Sequence, residues 1–117
     1  MKIDYDLIRK ILLKVEEISD GNVNYLPEHI WQKYFTESCK LNIFNYHVKY
    51  LFDDHLIEGS NGYVFDITPT GRDYLNNVRD DNIWKKTKER IQPLGTVALG
   101  IVSEIAKSFV SKKLGLS

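Results

Sequence analysis

Four residues in one short stretch have the chemistry of a surface that reads another macromolecule. Asn42, Asn45, Tyr46 and Lys49 fall within NIFNYHVKYLFDD. At about 100° per residue they share one helix face with Asp53, opposite Phe44, Val48 and Leu51. An asparagine amide can make paired hydrogen bonds to adenine, and a lysine reaches guanine or phosphate. A tyrosine hydroxyl donates to phosphate. Two further clusters are basic. Lys85, Lys86, Lys88 and Arg90 surround Glu89, and Arg9, Lys10 and Lys14 lie near the N-terminus. The plainer reading of the Lys85–Arg90 cluster is the solvated side of a helix whose inner side is Ile83, Trp84, Thr87 and Ile91, which is the commoner meaning of a charge run.

Charge works against the nucleic-acid reading. Between Pro27 and Thr68 stand three basic residues (Lys33, Lys40, Lys49) and six acids (Glu28, Glu37, Asp53, Asp54, Glu58, Asp66). Specific duplex binding usually neutralises several phosphates. Catalytic and metal chemistry find little support. His29, His47 and His55 do not share a helix face with a second ligand at metal spacing, and Cys39 has no second cysteine beside it. Gly59, Gly62 and Gly71 follow turn logic and form no phosphate loop. No catalytic residue, metal ligand or cofactor site is assigned, and the chain is read as a non-enzyme.

The elements that would carry these residues are mainly helical. Asp4 caps a first helix with Leu7, Ile8, Ile11, Val15 and Ile18 on its inner face, which leaves Leu13 outside the stripe. Pro27 opens a second helix with Ile30, Trp31, Tyr34 and Phe35 on its apolar side. Asn42 is expected to cap the third helix. Leu56-Ile57 starts a strand, and Asn61-Gly62 has the residues of a type I′ hairpin turn. Tyr63 to Thr68 returns, with Tyr63, Phe65 and Ile67 alternating to one side. Thr68-Pro69 opens a fourth helix with Tyr74, Leu75 and Val78 inward. Asp80-Asp81 caps the helix that holds Trp84. This order, helix–turn–helix followed by a hairpin, describes a mainly α fold with a small antiparallel β-wing, a winged helix-turn-helix over residues 1–92. Pro93-Leu94-Gly95 reads as a linker to a C-terminal helical extension at residues 96–114.

That last helix carries Ala98, Ile101, Val102, Ile105, Ala106 and Phe109 as an apolar stripe. It is the expected interface of a homodimer, since a small domain has limited core surface to cover such a stripe. The alternative is that it packs on its own domain.

The 117 residues suit one compact domain, and 43% hydrophobic content is enough for a core. Sixteen basic residues balance sixteen acids, so no global field draws the chain to nucleic acid or lipid. One cysteine, the lack of a signal-like start and the lack of a membrane-length apolar run lead to the expectation of a cytoplasmic protein with no membrane partner. YHVKYLFDDHLIEG, DITPTGRDYLNNVRDDNIWKKTKERI and KSFVSKKLGL resemble a group of small phage and prophage proteins called domain of unknown function 2513. The similarity covers nearly the whole chain. It implies a winged-helix fold and a bacterial or phage origin, and it implies no activity. LIEG followed by ITPTG also resembles, more loosely, the wings of bacterial repressors of the multiple-antibiotic-resistance and phenolic-acid types. Two readings follow: a small DNA-binding regulator whose partner is double-stranded DNA, or a protein-binding accessory factor that acts on a host or phage protein.

Overall fold

The structure is a computed structural model and describes residues 1–115. Among them are six α-helices and one two-stranded antiparallel sheet. The chain divides into two compact units. One is residues 3–72; the other is residues 1–2 with those from Asp73 onward.

In the first unit, α1 (Tyr5–Ile18) begins where the Asp4 carboxylate accepts the Leu7 N–H at 3.0 Å. Leu7, Ile8, Ile11, Leu12 and Val15 are buried, whereas Ile18 is only half-buried. The buried arc therefore sits slightly around the helix from the expected stripe and takes in Leu12. Helix α2 (Pro27–Tyr34) has Pro27 in its first turn. Two turns of helix present a narrow inner face, so only Ile30, with Phe35 just beyond the end, is buried. Trp31 and Tyr34, expected beside them, are not core. Trp31 is half-buried and its indole N–H donates to the Cys39 carbonyl at 2.9 Å. Tyr34 is exposed.

Helix α3 (Leu41–Asp53) starts one residue before the expected cap. Lys40 occupies the cap position without a side-chain bond, so Asn42 lies in the first turn with its side chain exposed. Phe44, Val48 and Leu51 are buried as their spacing requires, and the Phe44 ring lies 4.9 Å from that of Phe35. The same inner face also holds His47, which is fully buried. Its Nε2 accepts the Asp4 N–H at 2.8 Å, and its Nδ1–H donates to the Ile43 carbonyl at 2.8 Å. The bonding pattern assigns the Nδ1–H tautomer. One imidazole thus ties the start of α1 to the middle of α3.

Strands β1 (Ile57–Glu58) and β2 (Asp66–Ile67) pair with Ile57 opposite Ile67 and Glu58 opposite Asp66. Asn61 (φ 53°) and Gly62 (φ 81°) both take positive φ, and the Tyr63 N–H donates to the Ser60 carbonyl at 2.9 Å. That is the type I′ geometry read from Asn-Gly. The strand register would set Ser60 against Val64, yet the turn sets it against Tyr63. The return arm therefore carries one extra residue, a bulge. The bulge turns the backbone of Val64 toward Tyr25, where N–H and carbonyl pair in both directions at 2.7 Å. It also corrects the expected alternation: Val64 and Ile67 are buried, Phe65 is half-buried and Tyr63 is exposed. Thr68 caps α4 (Pro69–Val78) by accepting the Gly71 N–H at 3.0 Å, while its hydroxyl donates to the His55 carbonyl at 2.6 Å.

In the second unit, Tyr74, Leu75 and Val78 are buried as expected. Asp80 caps α5 (Asp81–Ile91), accepting the N–H groups of Asn82 and Ile83 at 2.9 and 3.0 Å. Ile83, Trp84, Thr87 and Ile91 form its buried side. A single 3₁₀ turn (Gln92–Leu94) and Gly95 at φ 74° lead to α6 (Leu99–Lys113), which starts three residues later than expected. Helix α6 packs along α5 through Leu99, Val102 and Ala106. Gly115, at φ 73°, ends it with its N–H on the Lys112 carbonyl at 3.0 Å.

Candidate functional site

The inner face of α3 is anchored by Phe44, His47, Val48 and Leu51, and this leaves the outer face open. Asn42, Asn45, Tyr46, Lys49 and Asp53 are all exposed on it. Tyr46 is 39% exposed, close to the exposure of Tyr34 and Tyr63. Lys49 is less available than its exposure suggests. Its ammonium group pairs with the Asp53 carboxylate one turn on, at 2.6 Å, and that bond raises its pKa. The pair is solvent-exposed on both sides, so a phosphate could displace Asp53 at modest cost. Tyr50, next along the helix, is half-buried, and loss of water around its hydroxyl raises its pKa.

A hollow of about 350 Å³ lies beside this face. Leu26, Pro27, Val48 and Phe52 give it apolar walls, and Asn45, Lys49, Glu28 and Gly62 reach its edge. It is assembled from the start of α2, the outer flank of α3 and the hairpin turn. The sequence pattern did not show it, because its walls come from three separate segments. The one available sign was Phe52, an aromatic residue outside the inward stripe of α3.

The remaining expected contacts fall elsewhere. Lys85 and Lys86 are exposed on α5, in the second unit, while all four α3 residues are in the first. Lys86 borders a hollow of about 380 Å³ with Lys112, Lys113, Asp80 and Phe109. On α6 the expected stripe is split. Val102 and Ala106 have no exposed surface because α5 covers that side, so they cannot meet a second copy. Ala98 and Ile101 are exposed, the latter by 49%, and Ile105 and Phe109 are half-buried.

The units differ in charge, which zero overall charge conceals. Residues 3–72 hold seven basic and eleven acidic side chains; the rest of the chain holds nine basic and five acidic. The charges of α5 and α6 are thus the cationic part of the molecule. His29 and His55 are exposed and His47 is part of the core. No group of three His, Cys, Asp or Glu side chains that could hold a metal occurs among the described residues. Cys39 is half-buried, and burial raises its pKa, with the Asp4 carboxylate adding to the shift. Among the described residues no helix is long and apolar enough to cross a membrane.

A family model described as "Hypothetical protein (DUF2513)" matches residues 2–98. An uncharacterized protein of Haemophilus influenzae is 28% identical over 123 residues, which covers 97% of this chain and 99% of the relative. No solved structure matches the chain.

Proposed function

The chain belongs to the DUF2513 family, and from that premise we propose that it is a winged-helix DNA-binding protein, a small regulator of phage or prophage origin that works in the cytoplasm. In this reading α3 is the recognition helix, and the hairpin around Asn61-Gly62 is the wing. Asn42 and Asn45 would meet base edges, while Tyr46 and Lys49 would meet phosphate or guanine. Cations of the second unit, Lys85 and Lys86 first, would contribute the phosphate contacts that the acidic first unit lacks. The observation that carries the reading is the uncovered polar face of α3 beside a fixed hairpin.

The test is titration of a random-sequence duplex pool at low and moderate salt. Binding should weaken steeply with salt. Asn45→Ala and Lys49→Ala should weaken it, and Lys85→Ala with Lys86→Ala should lower the salt slope by about two. Absence of any retarded duplex at low salt would count decisively against the proposal. Dimerisation belongs to the same proposal. The outer side of α6, with Ala98, Ile101, Ile105 and Phe109, would pair with its copy and bring two chains to one duplex.

The apolar hollow beside α3 favours a second reading, docking on a host or phage protein. Apolar walls edged by polar and charged side chains resemble the anchor pockets of protein interfaces. Here a partner would co-purify and be lost on Tyr46→Ala or Tyr50→Ala. Recovery of duplex binding with no protein partner would set this reading aside.

A further inference from the structure

A second hollow, between α1 and α2, belongs to neither reading of the α3 face. Lys10, Leu13, Lys14, Glu17, Tyr34 and Phe35 line about 280 Å³ of it. It gives a place to Leu13, which the α1 pattern leaves off the core stripe and which lies half-buried on its wall. The ammonium group of Lys14 sits 4.4 Å from the centre of the Tyr34 ring, and that of Lys33 sits 5.3 Å from the same centre. Lys14 also pairs with Glu17 at 3.0 Å. Cation–ring contacts of this kind keep long lysine side chains near the ring and so near the rim. With Lys10, the hollow and its rim carry three ammonium groups against one carboxylate. They do so within a unit whose eleven acids outnumber its seven basic residues. Local charge is opposite to that of its surroundings.

We propose that this hollow docks a segment of another protein in which a single bulky apolar side chain is flanked by carboxylates. The apolar side chain would lie against Leu13, Tyr34 and Phe35 and release water from them. The flanking carboxylates would meet Lys10, Lys14 and Lys33 in charge-assisted hydrogen bonds. Charge complementarity selects this occupant. A basic segment meets three like charges at the rim. A duplex supplies anions, but its aromatic bases are stacked inside and do not reach out to fill apolar walls. The acidic character of the rest of the unit adds selectivity, because an acidic ligand is tolerated only where cations gather.

The probe is a set of short fluorescein-labelled peptides rich in Asp and Glu around one Leu, Phe or Trp, followed by fluorescence anisotropy with the full chain. At least one member should bind saturably. Replacing its anchor by Ser should weaken binding about tenfold or more, which corresponds to roughly 1.4 kcal/mol. Leu13→Asp should do the same, and so should Lys10→Glu with Lys14→Glu. Lys10 is exposed while Leu13 and Lys14 are half-buried, so circular dichroism unchanged from the native chain would confirm that the variants fold. Binding that survives loss of the anchor would reveal attraction by charge alone and overturn the proposal. So would affinity unaltered in both variants, preference for a duplex over every peptide at this site, or failure of the whole set to bind.

Discussion

Asp80 shows how one carboxylate can serve two elements. It caps α5 through two backbone N–H groups and receives Lys113 from the end of α6 at 2.7 Å. The Lys113 hydrogen bond, followed by the Ile83 N–H, lowers its pKa from 3.8 to about 2. A carboxylate with a depressed folded-state pKa stabilises the fold above its unfolded value and ceases to do so as pH falls through the folded one. The thermal midpoint of the native chain should therefore exceed that of Asp80→Asn at neutral pH. The gap should begin to shrink below about pH 4 and be nearly gone near pH 2. A gap that stays constant over this range would show that the charge on Asp80 is irrelevant. His47 makes the complementary case in the core. His47→Ala would open a cavity and strand the Asp4 N–H, a loss of about 2–4 kcal/mol in urea unfolding. A cost near zero would mean that water or a shifted side chain takes over both bonds.

At the level of elements, capping and turn chemistry were the most legible parts of the sequence. The capping and turn bonds of Asp4, Thr68, Asp80 and Asn61-Gly62 all reach residues within three positions, so their meaning survives without knowledge of the fold. What the sequence hid depends on distant partners. Nothing in the spacing of Tyr63, Phe65 and Ile67 announces that Tyr25, some forty residues earlier, draws Val64 inward. The same holds for His47, whose partner Asp4 stands at the start of another helix, and for Asn42, which looks like a cap but has none to make. Gly59 and Gly71 follow turn logic in the sequence, yet neither has positive φ. They are needed because a β-carbon at Gly59 would run into the Tyr63 carbonyl, and one at Gly71 into that of Leu56. Gly71→Ala should consequently destabilise the fold by about 1–3 kcal/mol, visible as a lowered thermal midpoint. An unaltered midpoint would show that α4 can shift away from Leu56 freely. Of the candidate site, the open face of α3 was legible, because helical periodicity alone divides its two sides. The neighbouring hollow was not, since three segments build it.

On the scale of the whole molecule, the outer side of α6 and the division of charge make separate demands. If α6 pairs with its copy, Ile101→Glu should yield a monomer by light scattering with little change in thermal midpoint, because Ile101 is half exposed in the single chain. Ile105→Glu should also dissociate the pair, with some loss of stability, since that side chain is partly covered already. A mass unchanged by both would move the interface away from α6. The opposed charges of the two units also reach into routine handling. With a sequence isoelectric point near 6.8, a protein of evenly mixed charge would pass through either kind of ion-exchange resin at that pH. This one presents a cationic half to one resin and an anionic half to the other, so both should retard it, and eluting salt should report the strength of each half separately.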